Sequence, residues 1–278
     1  MNYKIGIDYG GTKIEGILIN DKGEEILRKR SGYEKNYESG VNTIKNLVEE
    51  FDKHTNSKNS VGVGIPGSSS KENGLIKNAN SIWLNGKPFK KDLETNLDRE
   101  IKIMNDANCF ALSEAIDGSG ANYSTVWGVI IGSGFGGSFV HNKRVVEGVN
   151  QVAGDWGHQP LPYPRKEEWD LNLKCPVDNC GRPLCAEQFI SGIGFTSIFN
   201  KKYKTNFTTK EIVDLELNGD ERAKKEFDLY EDRFARLIAV MIGIVDPDVI
   251  ILGGGMSNIE RLYSNIPKLL PKYTFSDK

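Results

Sequence analysis

Three of the chain's four cysteines fall within one short stretch, CPVDNCGRPLCAE (175–187), as Cys175, Cys180 and Cys185. A structural Zn²⁺ takes four Cys or His ligands in a tetrahedron. His158, one of three histidines, lies a short way upstream and would complete a Cys₃His set. The C-x-x-C spacing of a redox pair is absent, and inert core thiols are the plainer alternative; Cys109 reads as such a core residue. Carboxylates form a second group. Asp8 lies near the end of the apolar alternation YKIGIDY, and GGTK follows after Tyr9. A carboxylate there can hold Mg²⁺, Gly10 and Gly11 let amides approach a phosphate, Thr12 adds a donor and Lys13 a charge. A plain hairpin turn would use the same glycines. In MNDANCFALSEA (104–115), Asn105 and Asp106 stand where an apolar strand meets a helix. Asp106 could take a proton from a hydroxyl attacking phosphorus, or could simply cap the helix. A second glycine loop, GSGFGG, satisfies G-x-G-x-x-G through Gly132, Gly134 and Gly137, but the strand-like SFVHNKRVV follows where a dinucleotide site needs a helix. Neither loop matches a P-loop. Gly253, Gly254 and Gly255 close the apolar run DVIILGGG; they suit close approach of a base or ribose, or a strand-to-helix turn.

These residues need a scaffold, and its pattern repeats. Strand, glycine loop, strand and polar turn occur at 3–23 and again at 125–143, each followed by α/β elements. Val41, Ile44, Leu47, Val48 and Phe51 mark one helical face. VGVGIP and IKIMND are further strands, and helical patterns cover about 186–195, 209–218 and 220–245. The expectation is an α/β protein of two related lobes, 1–118 and 119–278, with a cleft between them. Length suits one large or two modest domains. Lys and Arg (36) nearly balance Asp and Glu (38), a formal charge of -2, so no nucleic acid or anionic membrane is implied as partner. The longest late apolar run, LIAVMIGIV (237–245), is too short to span a bilayer, and MNYKIGIDYGG enters a strand without a leader pattern. A cytoplasmic location is expected, where disulfides are disfavoured and clustered cysteines lean towards metal.

The motifs DYGGTK, GIPG (64–67), NDANCFALSEA, GSGFGG, GDWGHQPLP (154–162), CGRPLCAEQFISG (180–192) and DPDVIILGGG (246–255) occur in that order. In this the chain resembles the ROK-family sugar kinases along essentially its whole length. IKNANSIWLNGKPF (76–89) and GGGMSNIERLY (253–263) look most like the bacterial fructokinase/mannokinase branch. The resemblance implies a two-lobed actin-like ATPase (ribonuclease H-like) fold with an interlobe cleft, and ATP-dependent phosphorylation of a hexose at its 6-hydroxyl, D-fructose first. Mannose, glucose or an N-acetylhexosamine is the alternative. It further implies that Asp8 binds Mg²⁺ and that Gly10, Gly11, Thr12 and Lys13 lie against the ATP phosphates. Gly132, Ser133 and Gly134 would form the second phosphate loop (the family usually has Thr where Ser133 stands), and Gly253, Gly254 and Gly255 would lie beside the adenosine. Asp106 would be the general base. Gly67, Asn80, Asn105, Asp155, His158 and Glu187 would line the sugar site, and His158 would also ligate zinc with Cys175, Cys180 and Cys185. A homodimer is implied as well.

The pattern is not matched everywhere. In the family's C-x-C-G-x-x-G-C loop, Asp178 stands at the first cysteine's position and Leu184 at the last glycine's, so Cys175 and Asp178 compete as the fourth ligand, with thiolate favoured. Asp155 is one methylene shorter than the usual Glu of G-E-x-G-H. The family's final strand and helix are not matched after KLLPKYTFSDK, which suggests a shortened chain and weak turnover. A noncatalytic sugar-binding relative is therefore the reading from another class; a repressor would need a helix-turn-helix ahead of Asp8.

Overall fold

The computed structural model describes residues 2–171 and 180–276, so Cys175 and Asp178 lie outside the described residues. The chain folds as two compact units: Met1–Cys109 with Val149–Gln151, and Phe110–Gly148 with Val152–Lys278. The division runs inside a helix, where the sequence pattern placed it after Gly118.

In the first unit, β1 (Lys4–Tyr9), β2 (Lys13–Ile19) and β3 (Glu25–Gly32) form an antiparallel meander. β4 (Ser60–Ile65) and β7 (Ile101–Asn105) add in parallel, giving the order β3-β2-β1-β4-β7. The small pair β5 (Ser68–Ser69) and β6 (Ile76–Lys77) lies outside this sheet. Helix α1 (Tyr37–Thr55) buries the five apolar residues expected of it. The Asn36 side chain caps its start by accepting from the Ser39 amide, and Asn56 closes it in the left-handed region. Burial of such a side chain contributes about 1.5–3 kcal/mol, so this face decides where α1 docks. Helix α2 (Phe89–Leu97) covers the same core, and α3 (Asp106–Ile116) leads out of β7.

The second unit repeats the scheme. β8 (Thr125–Ile131), β9 (Phe135–His141) and β10 (Arg144–Val145) are antiparallel, and β11 (Val249–Gly253) joins β8 in parallel, in the order β10-β9-β8-β11. The two hairpin starts expected from the repeated pattern are therefore both present, and the fold is the actin-like one. Helices α4 (Lys166–Asp170), α5 (Glu187–Ile190), α6 (Gly192–Tyr203), α7 (Thr209–Leu217), α8 (Glu221–Val245) and α9 (Arg261–Leu269) complete the unit. The second glycine loop is shorter than its motif. β9 already begins at Phe135, and Gly137 is a strand residue whose added Cβ would lie 2.7 Å from the Gly128 carbonyl. Close packing, not a ligand, accounts for that glycine. Among the described residues no helix is long and apolar enough to cross a membrane.

Candidate active-site geometry

In the first unit, the sheet brings the ends of β1 and β7 to the same side. Asp8 lies near the end of β1, and Asp106 follows β7 as the first residue of α3. Burial raises the Asp8 carboxyl first, Glu15 raises it further, and Arg30 opposes both. Asp106 keeps solvent access, yet desolvation by the protein packed around it lifts its pKa to about 6; the Ala107 amide opposes this, and the charge on Asp8 adds to it. A carboxylate titrating near 6 is ionised at neutral pH and still basic enough to accept a proton as a hydroxyl attacks. The sequence left open whether Asp106 is a helix cap. The cap is its neighbour: Asn105 Oδ1 accepts from the Asn108 amide at 3.2 Å. Asp106 Oδ1 accepts from the adjacent Ala107 amide, at 2.8 Å.

Asn105 also reaches the other way, donating through Nδ2 to the Gly67 carbonyl at 3.2 Å. Gly67 has φ 128, and an added Cβ would lie 2.8 Å from Ala79 Cα and from the Lys77 carbonyl, so no other residue fits this bend. Asn80 follows Ala79, whose amide and carbonyl are both bonded by the Asn85 side chain at 2.9 and 3.0 Å. Asn85 was not among the expected site residues; a second Asn five residues after Asn80 in a glycine-bearing loop was the only signal. At the first glycine loop, the Gly10 amide donates to the Lys13 carbonyl at 3.1 Å, closing a tight turn that leaves Gly11, Thr12 and Lys13 exposed. Tyr33 steadies it by donating to the Gly10 carbonyl at 2.9 Å.

In the second unit the expected residues knit around Gly157. Its carbonyl accepts from the Glu187 amide at 2.9 Å and from Cys185 Sγ at 3.2 Å, and an added Cβ would fall 2.0 Å from the Phe135 carbonyl. Glu187, only 5% exposed, accepts through Oε2 from the Phe135 amide at 3.1 Å, directly after the GSG turn. Within that turn the Gly132 amide donates to the Gly134 carbonyl at 2.9 Å, and Ser133 is exposed at the tip. Gly254, at φ 83, lies against Ile131 and Gly132. The space beside Gly253 is filled by the Phe110 ring, while Gly255 stays open. Asp155 is exposed.

Three of the four expected zinc ligands lie together. The ligand atoms of His158, Cys180 and Cys185 are all within 4.8 Å of one another, and His158 Nδ1 is 3.6 Å from Cys185 Sγ. Tetrahedral zinc with ordinary Zn–S and Zn–N bonds would separate S and N by about 3.5 Å, so these residues fit that ion. Backbone bonds hold the two strands of the site: Leu161 to Leu184 at 2.7 Å and Ala186 to Gln159 at 2.8 Å.

The chain matches the family model described as "ROK family" over residues 4–278. It is 38% identical over 271 residues to the N-acetyl-D-glucosamine kinase of Haemophilus influenzae, covering 96% of this chain and 89% of that protein. To the enzyme of the same name from Histophilus somni it is 39% identical over 273 residues, covering 96% and 88%. Among solved structures, the ROK hexokinase of Thermus thermophilus superposes with a TM-score of 0.83 at 23% identity, covering 98% of this chain and 88% of that one. The ROK family glucokinase of Streptomyces griseus, solved with glucose and AMPPNP, gives 0.80 at 22%, covering 99% and 90%.

Proposed function

Because the chain belongs to the ROK family of sugar kinases, we propose that it transfers the γ-phosphoryl group of ATP to the 6-hydroxyl of a hexose, with N-acetyl-D-glucosamine as the preferred acceptor. The observation that carries the phosphoryl-transfer reading is the Asp106 carboxylate, uncommitted to capping and raised to about 6. The acceptor rests on the two N-acetyl-D-glucosamine kinases matched over nearly the whole chain. D-fructose, the acceptor first expected from the motifs, moves to second place.

In this reading Asp106 accepts the proton of the 6-hydroxyl as that oxygen attacks phosphorus in line. Asn105 and Asn80 orient the sugar beside Gly67, and Asp155, His158 and Glu187 hold its other hydroxyls. The exposed turns at Gly10–Lys13 and Gly132–Gly134, with Gly253–Gly255, receive ATP. Asp8 suits Mg²⁺, since burial and Glu15 both disfavour its uncompensated charge. Bound Mg²⁺ would spread the phosphate charge. Zinc held by His158, Cys180, Cys185 and a fourth ligand, Cys175 in our reading, would fix the His158 ring through Nδ1 and leave Nε2 for the sugar. Metal analysis of Cys175→Ser and Asp178→Ala checks that fourth ligand: zinc is expected to be lost in the first and kept in the second. A homodimer is the assembly implied by the family.

The deciding experiment is ADP release on adding each of N-acetyl-D-glucosamine, fructose, mannose and glucose. The highest kcat/KM is expected with N-acetyl-D-glucosamine, and kcat should fall about 10³-fold in Asp106→Asn. No ADP release with any of these sugars would favour a noncatalytic sugar binder.

A further inference from the structure

Glu168, Arg233 and Arg236 are ionisable yet only 4%, 4% and 1% exposed. Glu168 sits on the short α4, in the segment that runs from His158 towards the cysteine loop. Its carboxylate accepts from Arg233 Nε at 3.0 Å, from both terminal nitrogens of Arg236, one at 3.2 Å, and from the Arg165 amide at 2.8 Å. Arg236 also donates to the Pro162 and Tyr163 carbonyls at 2.6 and 2.8 Å. Two guanidiniums of α8 thus gather the acceptors of residues 162–168. Burial alone would raise the Glu168 carboxyl, but its Arg236 and Arg233 partners and the Arg165 amide outweigh this and hold it below the usual range.

The same face of α8 holds a second segment. The Arg233 guanidinium lies over the Phe189 ring, 5.3 Å from its centroid, and Tyr230 Oη donates to the Ile190 carbonyl at 2.9 Å. Phe189 and Ile190 belong to α5, whose first residue is Glu187. Residues 230, 233 and 236 recur at helical spacing, so they project from one side of α8. A buried ion pair is a weak device for stability, because desolvation offsets its attraction, and an apolar cluster would serve as well. Planar guanidiniums bonded through several nitrogens supply fixed direction instead.

We propose that Glu168, Arg233 and Arg236 are positioning residues for hexose recognition, registering the His158 segment and the Glu187 helix against one face of α8. This rests on the hexose-kinase reading. In Glu168→Gln the charge is removed with little change of shape. Its hexose KM is expected to rise about tenfold while its ATP KM stays within about twofold. Amide exchange at Leu161, Ala186 and Glu187 should quicken about tenfold as their bonds open more often. Arg99→Gln breaks another partly buried ion pair, with Asp52 in the first unit. It should lower Tm without moving either KM. A hexose KM unchanged in Glu168→Gln, or hexose and ATP KM rising together, would overturn the proposal. Arg233→Lys, which keeps the charge but loses the Nε bond and the stacking on Phe189, decides by the same KM readouts if Glu168→Gln is insoluble. If the wild-type protein phosphorylates no hexose, the kinase reading fails alone, and the exchange rates still decide whether the network registers these segments.

Discussion

Asn105 and Asp106 are adjacent and could each cap α3, and one hydrogen bond separates their tasks. With Asn105 bonded to the Asn108 amide, the helix cap does not engage Asp106, which suits the base role proposed for it. Asp106→Asn should lower kcat about 10³-fold, the scale of a lost general base. In the wild type kcat/KM should fall below an apparent pKa near 6, because the protonated carboxyl cannot accept. The sign for stability is the reverse of an ion-paired Asp. The folded-state pKa lies above the ordinary value of 3.8, so the native state binds the proton more tightly. The cost of the charged form is absent well below pH 4, grows between about pH 4 and 6, and is fully present above. Asp106→Asn should therefore melt higher than wild type at pH 7, on the order of 2 °C, and the gap should close by pH 4; thermal melts at the two pH values check both. Leu184 shows the opposite relation of type to place. It stands where the family has glycine and keeps φ 53, which costs a leucine about 1 kcal/mol, yet its side chain is 7% exposed in an apolar core. Leu184→Gly should relieve the backbone, lose more in burial, and come out about 1–2 kcal/mol less stable in urea titration.

At the scale of elements, the site in the second unit depends on how closely three segments pass at Gly157. The motif G-D-W-G-H shows the glycine but not its reason, which is the Phe135 carbonyl 2.0 Å from where a Cβ would stand. Gly157→Ala should force β9 and the His158 turn apart and cost about 3 kcal/mol or more, read from the urea midpoint. Hairpins and helices were far more legible. Alternating apolar residues named β1, the apolar run TVWGVII named β8, and the 3.6-residue period named the buried face of α1, because periodicity reports which side of an element meets the core. The boundary of β9 was not legible, since GSGFGG reads as a loop on composition while Gly136 and Gly137 pair in register with Ile130 and Val129.

For the molecule as a whole, the sugar and assembly readings make their own measurements. A hexose at about 100 times its Kd should add roughly 2.7 kcal/mol to folding and raise Tm in proportion, with N-acetyl-D-glucosamine more effective than fructose. Sedimentation should give about twice the chain mass of 31.0 kDa if the family's dimer forms. By itself the sequence determined the α/β class, the repeated hairpin starts, the ordered motifs and the cysteine cluster. These are local patterns, written in residue type and spacing. The tertiary structure alone decided which of two adjacent residues caps α3, why Gly157 has no side chain, and that three ionisable residues, Glu168, Arg233 and Arg236, are buried together. The cap is local, but Asn105 is also bonded to the Gly67 carbonyl; the other two outcomes depend on distances between segments far apart in the chain, and burial and hydrogen-bond partners are properties of such distances rather than of residue order.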